Sequence, residues 1–124
     1  MNPRQPGGLP RAERLAFACR MARLNGEADL ARHYREALTR MEDADATALA
    51  DPAAPARRDA RLAAILRHVD LVTRAPREAT RQDVEALKAA GMAEADIVRL
   101  AQLIAFVNYQ ARVIAGLKLM EAAR

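Results

Sequence analysis

Apolar residues recur every three to four positions along most of this 124-residue chain, which is the spacing of one face of an α-helix. Five stretches carry the pattern, at about residues 11–24, 28–41, 57–74, 81–90 and 94–120. In the first stretch the apolar residues fall on two faces, which indicates a helix buried on more than one side. Alternation typical of β-strands and internal repeats are absent from the sequence. The pattern therefore predicts an all-α protein.

Signals that begin or end helices lie between these stretches. Asn25 and Gly26 follow the first stretch and suit a positive φ at a helix C-terminus. Pro76 ends the third stretch, and Thr80 with Asp83 resembles a capping box before the fourth. These signals agree with the helix boundaries that the apolar pattern predicts.

Two segments lack the helical pattern and are predicted to lie outside the core. Residues 1–10 contain three Pro and two Gly, so we expect a flexible arm there. Residues 42–56 are acidic and Ala-rich, with two prolines, which is typical of a linker. A single helical domain is therefore predicted over residues 11–124.

The last predicted helix is the longest and the most apolar, and its apolar residues point all around its axis. We expect it to be the central helix, packed on several sides. Four other helices can cover only part of its circumference, so a homo-oligomer, at least a dimer, with this helix in its interface is predicted. Polar interruptions such as Arg99, Asn108 and Arg112 argue against a transmembrane span, so no membrane partner is expected.

Composition narrows the classes of partner and cofactor. The net charge is +4, but the arginines are scattered among acidic residues and aromatic content is 3%, so nucleic-acid binding is not expected. A single cysteine excludes an intramolecular disulfide and favours a reducing, cytoplasmic location, and the first ten residues have no apolar signal-peptide region. Two histidines without cysteine partners give no metal-site pattern, and no cofactor is expected.

Two stretches of the sequence resemble a known superfamily. Residues 13–34, with Arg-Met-Ala-Arg-Leu-Asn-Gly at 20–26, resemble the active-site helix pair of the alkyl hydroperoxidase D (AhpD) and carboxymuconolactone decarboxylase (CMD) superfamily. Residues 66–119 resemble its peroxidase-related branch, above all through Val-Asp-Leu-Val-Thr-Arg at 69–74 and Leu-Ile-Ala-Phe-Val-Asn-Tyr at 103–109. The resemblance implies an AhpD-like orthogonal bundle of about five helices with a long central C-terminal helix.

The catalytic motif of that superfamily is missing from this chain. Active members share a Cys-x-x-Cys-x-x-x-His run just after the Asn-Gly turn and a glutamate about three helical turns upstream, which together exchange thiol for disulfide and relay protons. The two cysteine positions hold Glu27 and Leu30, the histidine position holds Tyr34, and the glutamate position holds Leu15. The resemblance therefore implies the fold without dithiol peroxidase activity.

Several polar residues remain near the position that the superfamily uses for catalysis. The candidate pocket residues are Glu27, His33, Tyr34, Asn108 and Tyr109. The alternative interpretation is structural, with the Tyr34 hydroxyl satisfied in the core and Glu27 stabilising a helix N-terminus, and we favour it. For Asn108, a bridge to a neighbouring helix end or to another subunit is the favoured role.

Cys19 is the candidate thiol. It shares a helix face with Leu15 and Ala22, where a free cysteine usually behaves as a small buried hydrophobe, whereas a reactive thiol needs an exposed electropositive setting. His68 lies off the apolar stripe of its helix and is expected at the surface. Asp70 and Arg74 are expected to pair on the outside of the same helix.

Three functions follow as hypotheses. The first is a redox-inactive relative that acts as a structural or small-molecule-binding subunit, assembled with itself or with an active paralogue. The second is a non-redox decarboxylase or lyase of the CMD type on an acidic small molecule, with Glu27, His33 and Tyr34 as acid and base and with Arg20 or Arg23 orienting a carboxylate. The third is a peroxidase that uses Cys19 with a thiol from another protein.

Overall fold

The computed structural model describes residues 8–53 and 59–123, and these residues form helices and connecting turns without a strand. The α-helices are α1 (Arg11–Leu24), α2 (Ala28–Thr39), α3 (Ala44–Leu49), α4 (Ala60–Arg74), α5 (Arg81–Ala89) and α6 (Glu94–Ala122), and a 3-10 helix, η1 (Pro76–Glu78), follows α4. The all-α prediction is confirmed.

Helix α1 is the centre of the fold. Residues 16–22 are all buried, and α1 contacts α2, α3, α4 and α6. Its two apolar faces explain this position, because a helix surrounded on several sides needs apolar side chains on each of them. Phe17 and Met21 are fully buried and are among the largest side chains of the core.

Helix α6 lies at the side of the molecule, so the prediction that it is the central helix is wrong. One face of α6 is buried on the core through Leu100, Ile104, Val107 and Ala111. The opposite face carries most of the exposed large apolar side chains of the described chain, namely Val98, Phe106, Tyr109, Val113, Leu117 and Met120. The even apolar distribution around α6 thus reflects two different surfaces, one of them covered and one open.

The expected linker contains a helix. Asp43 accepts a hydrogen bond from the Ala46 N–H at 3.0 Å and caps α3, whose Ala46 and Leu49 are buried. The described fold therefore has six α-helices where about five were predicted. Residues 54–58 of the expected linker and residues 1–7 of the expected arm lie outside the described residues. Leu9, which was also assigned to the arm, is buried in the core.

The helix ends follow the sequence signals. Gly26 has a φ of 74°, the left-handed conformation that glycine adopts without strain. Before α5, the Thr80 N–H donates to the Asp83 carboxylate at 2.7 Å. Asp59 caps α4 by accepting from the Leu62 N–H at 3.1 Å.

Helix α6 is also the one helix of the described chain that is long and apolar enough to cross a membrane. Length and composition alone support that possibility, and a core helix of a soluble protein meets the same criteria. Helix α6 meets the criteria of length and apolar composition because it has two apolar faces, one covered and one open, which together raise its mean hydropathy.

Candidate functional site

A shallow cavity of about 280 Å³ lies between α1, α2 and α6. Leu15 and Tyr34, which were expected from the sequence at catalytic positions, both line it, together with Arg11 and Arg14. The Tyr34 hydroxyl is hydrogen-bonded to the Gln110 side chain, and burial raises the pKa of the tyrosine. A leucine and a protonated, bonded tyrosine do not form a proton relay.

Three side-chain hydrogen bonds between described residues tie α6 to the α1–α2 pair. Asn25, at the C-terminus of α1, donates to Asn108 Oδ1 at 2.8 Å, and Lys118 donates to Glu27 Oε1 at 2.9 Å. The contact between Tyr34 and Gln110 is the third. The hydrogen bond to Glu27 raises the pKa of Lys118, so this ammonium is charged at neutral pH. These side chains hold α6 in one register against its neighbours.

The structure brings His33 and Tyr34 together, but gives the other predicted pocket residues separate contacts. Glu27 is occupied by Lys118, and Asn108 bridges to the end of α1, as the structural interpretation proposed. His33 is exposed and lies edge-on to Tyr34, with the ring centroids 5.3 Å apart. Tyr109 is 65% exposed on the outer face of α6. Of the five predicted pocket residues, Tyr34 lines the 280 Å³ cavity and the other four do not.

Cys19 is 1% exposed, and its Sγ donates to the Ala31 carbonyl oxygen at 3.5 Å. Burial raises the pKa of this thiol, and Arg23 and Arg35 offset the effect only in part. A buried, protonated thiol is a poor nucleophile toward peroxide. The position of Cys19 therefore counts against the peroxidase hypothesis.

Arg20 binds within the protein and is not available for a substrate. Its Nε and Nη2 atoms donate to the two carboxylate oxygens of Asp70, each at 2.7 Å, and its Nη1 donates to the Leu49 and Asp51 carbonyls. The expectation that Asp70 pairs with Arg74 is wrong, because Asp70 faces inward to α1. The suggestion that Arg20 orients a substrate carboxylate is wrong for the same reason.

His68 was predicted at the surface, but it is half-buried between α4 and α5. Its Nδ1 atom is buried and has no hydrogen-bond partner among the described residues. Burial lowers the pKa of this histidine, and the Asp83 carboxylate partly opposes the shift. Asp83 also lines the small cavity beside the imidazole.

A second cavity, of about 450 Å³, lies between α1, α2 and α3 on the other side of α2. Cys19 is at its wall, with Arg23 and Arg35 beside it. Sequence reasoning missed this cavity because α3, which forms one wall, was expected to be linker. Within the described residues, no group of three His, Cys, Asp or Glu side chains is placed to hold a metal ion.

Comparison with protein-family models and with curated proteins finds no match for this chain. The contacts, cavities and surfaces described above are therefore the basis for proposing a function.

Proposed function

We propose that this chain is a self-associating structural subunit without dithiol redox chemistry, built on the helical arrangement of the AhpD and CMD superfamily. The observation that carries the proposal is the open apolar face of α6. The catalytic identities of the superfamily are replaced at every position, while polar residues near that position fix α6 against α1 and α2. We infer that these side chains stabilise packing rather than take part in catalysis.

The open face has the spacing of a helix–helix seam. Phe106, Tyr109, Val113 and Met120 follow one another at intervals of three, four and seven residues, and Gly116 occupies the remaining position of the repeat. Phe106 is 56% exposed and Met120 is 61% exposed. Side chains at this spacing form one continuous stripe along a helix, which is the surface that a second helix covers in a bundle.

A second copy of the chain is the occupant that fits this stripe. Between Arg99 and Lys118 the sequence of α6 contains a single charged residue, Arg112, so two copies can approach with little like-charge repulsion. A Cβ added at Gly116 would meet nothing within 4 Å, which leaves room for a partner backbone at that point. A two-fold contact places the same stripe on both sides.

The energetic reason for association is the hydrophobic effect. Soluble monomers rarely expose a continuous apolar patch larger than a few hundred Å². Each Å² of apolar surface that the partner removes from water contributes about 25 cal/mol. The open face of α6 carries two aromatic rings and four other large apolar side chains. Because each aromatic side chain buries a large area, covering this face should stabilise the associated form substantially.

The first prediction tests this contact with two matched substitutions. Wild-type protein at micromolar concentration should sediment at twice the 13.6 kDa mass of the chain or at a higher multiple. Val113→Asp places a carboxylate in the stripe and should weaken association at least about 100-fold, because burying an unpaired charge is costly. Met41→Asp alters another exposed apolar side chain, outside α6, and should leave the mass unchanged.

Two results would contradict the proposal. One is a wild-type protein that remains a 13.6 kDa monomer throughout the concentration series. The other is a Val113→Asp variant that associates as tightly as the wild type, which would show that the contact lies elsewhere. Far-UV circular dichroism of each variant verifies that the helices are retained.

A further inference from the structure

The 450 Å³ cavity between α1, α2 and α3 has a size typical of small-molecule sites. Much of its wall is apolar and comes from Leu38, Ala48, Ala50 and Ala53. The polar and charged groups at the wall are the side chains of Cys19, Arg23, Arg35, Thr47 and Asp51. The cavity therefore has an apolar side and a cationic side, which together complement a small molecule with an apolar part and an anionic group.

The wall of this cavity carries more positive than negative charge. Arg23 and Asp51 form a long ion pair, with Nη2 and Oδ1 3.8 Å apart, and both side chains are about half exposed. The Arg35 side chain has no hydrogen bond or ion pair within the described residues, although the backbone carbonyl of Arg35 accepts from the Thr39 hydroxyl. Two guanidinium groups against one carboxylate leave an excess of one positive charge. An anion with a single charge would complete the balance.

Arg35 differs in this respect from its neighbour on α2. Arg32 donates to Asp29 at 2.6 Å on the exposed side of the helix, so its charge is already paired. The Thr47 hydroxyl is also used, because it donates to the Asp43 carbonyl at 2.8 Å. The side-chain donors without a hydrogen bond at the cavity are thus those of Arg23 and Arg35, and of these two only Arg35 also has no ion pair within the described residues. A guanidinium group binds a carboxylate in a planar, two-point geometry.

We propose that this cavity binds a small organic monocarboxylate, with its carboxylate on Arg35 and Arg23 and its apolar part against Leu38 and the alanines of α3. A carboxylate fits better than a phosphate dianion, because the second negative charge would face Asp51 without a partner. The site does not depend on self-association, since α6 contributes no residue to it. It also requires no reaction at Cys19, which lines the cavity together with Arg23 and Arg35.

The single cysteine makes the second prediction measurable. Cys19 is alkylated with neutral iodoacetamide, and the rate is followed by intact-protein mass as hexanoate is added. Hexanoate should slow alkylation saturably, and hexanamide, which lacks the charge, should not. Acetate should need at least about tenfold higher concentration than hexanoate, because it lacks the apolar methylenes.

Matched arginine variants locate the anion. Arg35→Gln should weaken protection by hexanoate at least about tenfold, as expected for the loss of a charge-assisted pair. Arg32→Gln removes the same charge from the same helix outside the cavity and should leave protection unchanged. Because the thiol is nearly inaccessible, a ¹H–¹⁵N NMR titration with hexanoate is run in parallel, with shifts expected at residues of α1, α2 and α3.

The proposal is overturned if hexanoate causes neither protection of Cys19 nor saturable shifts in these helices. It is also overturned if hexanamide acts as strongly as hexanoate, or if Arg35→Gln and Arg32→Gln behave alike. Each of these results is independent of the oligomeric state, so failure of this site is distinguishable from failure of the α6 contact.

Discussion

Individual side chains in this fold take their properties from partners that lie far away in the sequence. Arg20 and Asp70 are 50 positions apart, and their two-point ion pair forms only because α1 packs on α4. The burial of Cys19 was predictable, since it follows from the apolar faces of one helix. The burial of His68 was not, because the residues that cover it belong to α5 as well as to its own helix.

The third prediction concerns His68 and pH. The unfolded chain binds a proton at this histidine near pH 6.5, whereas burial lowers the pKa in the folded protein. The free energy of unfolding should therefore be highest above that pH and should decrease as the pH falls through 6.5 toward the lowered value. His68→Gln should have a flatter profile between about pH 7 and 5, because a glutamine at position 68 does not titrate. Urea unfolding at each pH measures the difference.

The control for this prediction is the exposed His33. Asp83, which faces the imidazole of His68 from α5, and Arg67, on the same helix as His68, are present in either variant. The backbone N–H of Thr80 lowers the pKa of Asp83 from 3.8, so this carboxylate stays ionised between pH 7 and 5. His33→Gln should retain the wild-type slope. A His68→Gln profile that parallels the wild type would show that burial does not control the protonation of this residue.

At the scale of the elements, periodicity located the long helices well and the short one not at all. The predicted boundaries of α1, α5 and α6 agree with the observed ones within two residues. Helix α3 has six residues, fewer than two turns, and only Ala46 and Leu49 of it are buried. Such a segment is too short to show a helical period, and its cap, Asp43, was indistinguishable from the acidic residues around it.

The position of α6 shows a second limit of the pattern. A helix with apolar residues all around is equally consistent with a central helix and with a lateral helix that presents one face to a partner. The deciding fact is that α1 already occupies the centre. The sequence of α1 indicated a buried helix, but the apolar patterns of α1 and α6 did not show which of the two helices is central.

The fourth prediction concerns the ion pair that joins α1 to α4. Arg20→Met should lower the free energy of unfolding by about 3–5 kcal/mol, because it leaves Asp70 unpaired in a half-buried position. The double variant Arg20→Met with Asp70→Leu should recover part of the loss. Recovery should be incomplete, since Arg20 also donates to two backbone carbonyls, those of Leu49 and Asp51.

Arg32→Met provides the comparison for that experiment. Its ion pair with Asp29 is exposed on both sides, so its loss should change stability little. Equal losses for Arg20→Met and Arg32→Met in urea unfolding would contradict the assignment of a structural role to Arg20. A double variant that is no more stable than Arg20→Met would show that the backbone contacts, rather than the carboxylate, account for the effect.

For the whole molecule, the helical class and a single core were predictable, while the candidate site was not. Glu27, Tyr34 and Asn108 were expected near one pocket because they are polar residues on helices that pack together. Each of them contacts a different residue instead, Lys118, Gln110 and Asn25 respectively. Pairing across a helix interface depends on rotation and register, which composition and spacing do not specify.

The fifth prediction concerns redox chemistry at the scale of the whole protein. Purified protein should not consume hydrogen peroxide or organic peroxides with dithiol reductants above the rate of a Cys19→Ser variant, because the only thiol is buried and its pKa is raised. A peroxide-consumption assay compares the two proteins at equal concentration. Robust turnover that Cys19→Ser abolishes would contradict the redox-inactive assignment.

The C-terminal turns of α6 extend beyond the helices that support its first half. After Ala111 no residue of the described helix is fully buried, although Ile114 packs partly against the core, and Lys118 forms ion pairs with Glu27 and Asp29. Local opening of these turns therefore requires little free energy in an isolated chain, whereas the first half opens only with the core. Amide hydrogen exchange in the C-terminal turns of α6 should then depend on salt and on protein concentration. Exchange in the first half of α6 should be limited by opening of the core.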